Sequence, residues 1–251
     1  YVFADATFCK VRVGAHVVSQ ALVVATGVSI EGTREVLGTA VGDSESFEFW
    51  REFLASLKAR GLAGVHLVIS DAHAGLKSAV AQQFSGSSWQ RCRVHFMRDR
   101  HGAVSAKHAP AVTAAVKTVF AHTDPDEVAA QWDTVADSLA ASFPKVAAMM
   151  NEAKADVLAF TAFPRAHWQK IWSNNPIERL NKEIKRRADV VEIFPNPAAF
   201  LRLATAVVIE AHDEWQVTRR YLSEISMAEL RKVIAAKQTA EKPVAEQLQI
   251  A

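Results

Sequence analysis

VFADATFCKVRVGAHVVSQALVVATGVSIEGTREVLGTAVG, residues 2–42, is the stretch that decides the fold. Residues 2–13 are rich in β-branched and aromatic side chains and read as a strand that Gly14 breaks. Residues 16–28 read as a second strand. Its middle is apolar on both faces, the pattern of a central strand in a covered sheet. Residues 33–42 form a shorter third strand. The short gaps, with glycines at 14, 27 and 32, imply two successive hairpins.

Outward from this meander the period changes. In SESFEFWREFLASLKARG (44–61), Phe49, Trp50, Phe53, Leu54 and Leu57 recur at helical spacing, and Gly61 closes the pattern. VHLVIS (65–70) is a fourth strand ending at Asp71, AGLKSAVAQQF (74–84) a second helix, and SWQRCRVHF (88–96) a fifth strand. The order β-β-β-α-β-α-β predicts an α/β fold: a mixed five-stranded sheet flanked by helices. From Met97 to Lys170 strand signals vanish, alanine is dense, and Pro110, Pro125, Pro144 and Pro164 mark breaks. This predicts an all-α insertion over 98–170, between a first core segment (1–97) and a second (171–215). A helical tail over 216–251 follows.

Composition narrows the class. Half of the 251 residues are hydrophobic and 22% are charged, as in ordinary globular chains. The net charge of +2 is too small to argue for nucleic acid on its own, so local clusters carry the weight. One comprises Arg91, Arg93, Arg98 and Arg100; another comprises Arg179, Lys182, Lys185, Arg186 and Arg187. Two cysteines, Cys9 and Cys92, make no disulfide framework and suggest a reducing, cytoplasmic setting. The longest apolar stretch, Val17 to Ile30, is too short and too polar to span a bilayer, and no signal-peptide pattern is present. Tyr1 already lies in strand-like sequence without an initiating Met, so the reading expects a fragment with an upstream part.

Three acids stand out. Asp5 lies within the first strand, where a buried carboxylate needs hydrogen bonds or a cation and an exposed one needs only water. Asp71 ends an apolar strand before a helix, fitting either an N-cap or a site beyond the carboxyl ends of strands. Glu178 heads SNNPIERLNKEIKRR (173–187). With Asn175 as N-cap and Pro176 at the first helical position, it takes the acid position of a capping box. Ile177, Leu180 and Ile184 form the buried stripe, and Glu178 falls with Lys182, Lys185 and Arg186 on the polar side or its edges. Three carboxylates on separate elements suit two-metal phosphoryl chemistry, because Mg²⁺ takes hard oxygen ligands and keeps several waters.

The stretches DATFCKVR, TREVLGTAVGDSESFEFWREFLASLKARGL, LVISDAHAGLKSA, WQRCRVHFMRD, NNPIERLNKEIKRR and VVEIFPN occur in this order over most of residues 1–208. In them the chain resembles the prokaryotic members of the Mutator group of insertion-sequence transposases. The resemblance implies an RNase H-like core whose DDE triad is Asp5, Asp71 and Glu178, with a helical insertion before the Glu. These acids would hold two Mg²⁺ or Mn²⁺ ions. It also implies that Cys92 and His95, a C-x-x-H pair, support the site structurally. Two such residues alone do not make a zinc site, which takes four ligands. His73, two residues past Asp71, could reach a phosphate or the metal shell, or be a plain loop residue. The implied partners are DNA, as element terminal repeats and target, and further copies in a homodimer or larger assembly, with no membrane. Arg179, Lys182, Lys185, Arg186 and Arg187 would position phosphates. Family members carry upstream helical DNA-binding segments that this sequence does not include. Two other readings stay open: an RNase H-like nuclease or resolvase acting by hydrolysis only, and a non-catalytic DNA-binding domain whose acids are caps and surface charges.

Overall fold

The computed structural model describes residues 1–43 and 45–248; of residues 100, 101 and 240–248 only the backbone is described. Strands β1 (Val2–Val13), β2 (His16–Val28) and β3 (Arg34–Gly42) form the expected antiparallel meander. Helix α1 (Phe47–Ala59), strand β4 (Leu67–Ser70), helix α2 (Ala74–Gln83) and strand β5 (Ser88–Arg91) follow. The sheet order is β3-β2-β1-β4-β5, with β1 parallel to β4 and β4 parallel to β5.

Alternation along the strands assigns each face its helices. Val2, Ala4, Val23, Ala25 and Val68 face Trp50, Phe53, Leu54 and Leu57 of α1 and Leu76 and Val80 of α2. Phe3, Leu22, Val24, Leu67 and Ile69 face the other way, into a larger core. A mixed sheet covered by helices on both sides is consistent with the expected RNase H-like arrangement.

Between β5 and the Glu178 helix no strand occurs among the described residues. Helices α3 (Arg93–Asp99), α4 (Ala109–Val119), α5 (Pro125–Ala140), α6 (Pro144–Val157) and α7 (Trp168–Ile171) fill this stretch, with short 3₁₀ turns after α3 and before α7. Pro125 and Pro144 begin helices rather than merely breaking them, because the first helical turn has no use for the missing N–H. Buried Gln90 ties this segment to the sheet: its amide donates to Val157 O (2.8 Å), and its carbonyl accepts from Phe160 N (2.7 Å).

Helix α8 (Asn175–Val191) then returns to the sheet, followed by strand β6 (Ile193–Phe194), helix α9 (Pro197–Val217) and helix α10 (Glu224–Leu248). Residues 249–251 of the predicted tail lie outside the described residues. Strand β6 makes the sheet six-stranded. It runs parallel to β1 at Lys10 and Val11, while β4 takes the same edge at Val2 and Phe3. Between these two pairings the edge of β1 is open to side chains. Asn174 uses it, donating from its amide to Ala4 O at 2.9 Å.

The fifth strand is shorter than its β-rich sequence predicts. Cys92 N–H donates to Ser70 O (2.7 Å) and Arg93 N–H to Trp172 O (2.9 Å), which draws the chain off the sheet into α3. His95 therefore sits on a helix.

Candidate active site

The register of β1 and β4 brings the first two acids together. Phe3 pairs with Ile69, so carrying the register two residues on places Asp5, within β1, beside Asp71, just past the carboxyl end of β4. Both share the face of Phe3 and Ile69, the face that receives α8.

Asp5 is partly buried. Its Oδ2 accepts from the Asn181 amide of α8 at 2.8 Å. Burial pushes its carboxyl up to about 6, against the pull of His95, the Ala6 N–H and Asn181; nearby Glu178 adds to the rise.

Asp71 does not cap α2. The cap is His73, whose Nδ1 accepts from Leu76 N–H at 3.2 Å. The chain turns between the two residues, and among the described residues the Asp71 carboxylate takes only the Ala72 N–H, at 2.6 Å. Its carboxylate is half exposed, at 48%, and free to face the site. His73 is thus committed to the backbone. Glu45, which the sequence reading passed over, lies nearby; burial raises its pKa, His73 lowers it and Asp71 raises it.

Glu178 is likewise no capping-box acid. Helix α8 starts one residue earlier than expected, with Asn174 as its cap residue, which moves Glu178 out of the capping position. The Asn174 carbonyl accepts both Ile177 N–H and Glu178 N–H at 2.9 Å. The Asn174 side chain is spent on β1 and makes no cap bond. The Glu178 side chain points to His95 Nε2 at 3.6 Å, and its Oε1 is buried without a hydrogen-bond partner.

His95 stands between the acids. Its Nε2 faces Glu178, and its Nδ1 lies 3.8 Å from Asp71 Oδ1. Its pKa is pushed up to about 9, first by the Cys92 sulfur and then by Asp71 and Asp5, with burial opposing. These neighbours favour the protonated ring, which would be a local counter-charge for the acids. Cys92, fully buried, accepts from Asn174 N–H at 3.2 Å and anchors the start of both α3 and α8. Among the described residues, Cys92, His95 and Glu178 are the group of three metal-capable side chains whose ligand atoms all lie within 4.8 Å of one another.

On the outer face of α8, Lys182 and Lys185 are exposed, as is Arg179. Arg186 and Arg187 are not free: both bind Glu183, and Arg187 also binds Glu210 at 2.6 Å. The two arginines hold the Glu183 carboxyl down at about 2.

Residues 1–218 match the family described as Transposase, Mutator family. The chain belongs to that family. It is 44% identical over 247 residues to the transposase for insertion sequence element IS1081 of Mycobacterium tuberculosis, covering 98% of this chain and 59% of the relative. It is 37% identical over 226 residues to the transposase for insertion sequence element IS256 in transposon Tn4001 of Staphylococcus aureus, covering 89% and 58%. With the transposase for insertion sequence element ISRM5 of Rhizobium meliloti the identity is 36%, over 93% and 58%. The Mutator-family chain thus spans just under three fifths of the length of these relatives. No helix among its described residues is long and apolar enough to cross a membrane.

Within this Mutator-family chain, the sequence reading missed Asn174 and Asn181, the two buried amides that fix α8 against β1. Asn181 carried a signal. It sits four residues after Ile177, inside the apolar stripe, and a polar side chain there needs a partner.

Proposed function

We propose that this chain is the catalytic part of a DNA transposase, with Asp5, Asp71 and Glu178 as its DDE triad. The single observation behind the reading is convergence: acids from the centre of β1, the end of β4 and the first turn of α8 gather around one histidine.

The residues fit divalent cations. Glu178 Oε1 is buried with no hydrogen bond, its nearest charged neighbour being His95 Nε2 at 3.6 Å, and partly buried Asp5 accepts only from the neutral Asn181 amide and the Ala6 N–H among the described residues. Partly buried carboxylates so poor in donors are stabilised by a cation, and oxygen donors with room for water suit Mg²⁺ or Mn²⁺. Two such ions, when bound, supply activation of the attacking oxygen and charge stabilisation at the leaving one.

The chain's own groups do the rest. Asp5, Asp71 and Glu178 are the ligands. Asn181 orients Asp5, and Asn174 sets where α8 begins. His95 keeps a proton at Nε2 against Glu178 and limits repulsion among the acids before a cation enters. Cys92 steadies the His95 helix. Arg179, Lys182 and Lys185 face outward where a phosphate backbone would run, and Arg186 and Arg187 shape that ridge through Glu183. The first reaction is hydrolysis of a phosphodiester at an element end; the second is attack of the freed 3′-hydroxyl on a target phosphodiester, which joins the end to the target 5′-phosphate and releases the target 3′-hydroxyl. Joining two ends implies a dimer or larger assembly on DNA.

The test is cleavage and strand transfer on labelled element ends with Mg²⁺ or Mn²⁺, using the parent chain and the Asp5→Asn, Asp71→Asn and Glu178→Gln variants. Loss of both reactions with retained DNA binding is expected. Cutting without joined products would convert the reading to a hydrolytic nuclease, and full activity in Asp71→Asn would sink the triad.

A further inference from the structure

Helix α3 has a second face. While His95 turns to the acids, Arg93, Val94, Met97 and Arg98 line a groove of about 530 Å³, closed on the other side by Lys117 and Phe120. The basic cluster read at 91–100 divides here. Arg91 is spent on Asp99 at 2.7 Å and on the Phe96 ring. Arg93 and Arg98, and Lys117 opposite, meet no carboxylate among the described residues. Arg93 is half-buried and stacks 3.8 Å from the Trp172 ring centre and 4.8 Å from that of Phe120. A half-buried guanidinium over two rings and without a carboxylate partner among the described residues is placed to take an anion.

We propose that this groove binds one or two nucleotides of a single DNA strand beside the acid cluster. The base lies on the apolar floor of Val94, Met97 and Phe120, and the flanking phosphates meet Arg93, Arg98 and Lys117. Cations along a groove with an aromatic surface are what a single strand needs, because every base has a face to stack and every linkage a charge. The groove lies across α3 from His95, and a helix is about 10 Å thick. A strand at the acids therefore reaches the groove within a few nucleotides. The inference rests on DNA being the substrate, and it gives the helical segment a role in holding a strand.

The test uses the full chain without divalent metal and a 15-nucleotide single strand carrying 2-aminopurine. Reversing the two exposed cations, Arg98→Glu with Lys117→Glu, should weaken binding at least about tenfold. Two phosphates at roughly 0.7 each should lower the salt slope by about 1.4. Phe120→Leu keeps the floor apolar but removes the ring, and should reduce the quenching of the probe. An unchanged affinity and salt slope in the double variant overturns the proposal, and so does unchanged quenching in Phe120→Leu with its fold intact by circular dichroism. Asp71→Asn, run in parallel for cutting, separates the two readings. If it cuts normally, the triad fails whatever the groove binds; if it is inert and the groove variants bind normally, only the groove proposal fails.

Discussion

The amide of Asn181 donates to the carboxylate of Asp5 at 2.8 Å, joining the Glu178 helix to the central strand across 176 residues of sequence. Asn181 lies three residues after Glu178, one turn along the same helix, so the bond fixes the rotation that aims Glu178 at the acids.

Asn181→Ala should therefore behave as the loss of a positioning residue. Removing a partner that orients a metal-binding carboxylate costs roughly 10–100-fold in metal affinity or activity. We expect such a fall in cleavage rate, with folding retained, and partial recovery at raised Mn²⁺. Parent-like cleavage at limiting metal would show that Asp5 holds its place without the amide.

Lysines and arginines of α8 should separate in DNA binding. Lys185 is exposed and without an ion pair among the described residues, whereas Arg187 is held by Glu183 and Glu210. Lys185→Ala should lower the salt slope on duplex DNA by about 0.9, the share of one phosphate contact. Arg187→Ala should leave that slope unchanged. The check is fluorescence anisotropy titration from low to moderate salt; equal slope changes would overturn the division.

Gly32 is needed by the backbone. Its φ of +79° is left-handed, and a Cβ there would lie 2.4 Å from the carbonyl oxygen of Leu222. The Leu222 N–H donates to Gly32 O at 3.1 Å, so the turn cannot withdraw without breaking the contact with the chain before α10. Gly32→Ala should destabilise by about 2 kcal/mol, a fall in Tm of roughly 4–8 °C for a chain of this size. Calorimetry measures it, and an unchanged Tm would mean that the turn and α10 part freely.

His167 gives a pH signature of its own. It is fully buried, and its Nδ1 and the Tyr1 hydroxyl share a hydrogen bond at 2.7 Å. Burial, then Lys170, holds its pKa down at about 4, against the usual 6.5. The unfolded chain takes up a proton as pH falls through 6.5, while the folded chain resists until about 4. The stability from neutral His167 is therefore complete above pH 6.5 and is lost as pH falls toward 4. Denaturant titrations across this window should show a fall in stability that His167→Gln flattens. A parallel fall in that variant would assign the acid limb to other groups.

Most of the frame was legible in the residues. The bounds of β1 and β2 follow from alternation and a Gly14 turn, and α1 from the spacing of Trp50, Phe53, Leu54 and Leu57. Positions set by distant partners were less legible. Residues 92–96 have strand composition but become a helix start, because Ser70 and Trp172 supply carbonyls that local sequence does not announce. Strand β6 has two residues, too few to show a period. Asp71 looked like a cap because caps are local, yet His73 took that task. Glu178 looked like one for the same reason, and only the position of α3 shows that its side chain meets His95.

The bond from Asn174 to the β1 edge has a consequence in time. The carbonyl it occupies belongs to Ala4, 170 residues earlier. At about 5–20 residues per second, the ribosome needs roughly ten seconds or more to deliver Asn174, Glu178 and Asn181 after the first strand has emerged. Until then Asp5 and Asp71 can pair through their strands, but the edge of β1 lacks its amide and the third acid does not exist. A chain that stops anywhere within the helical segment releases a sheet with two acids and no helix to complete them. The order of synthesis itself keeps the carboxylate cluster unassembled until the Glu178 helix has been made.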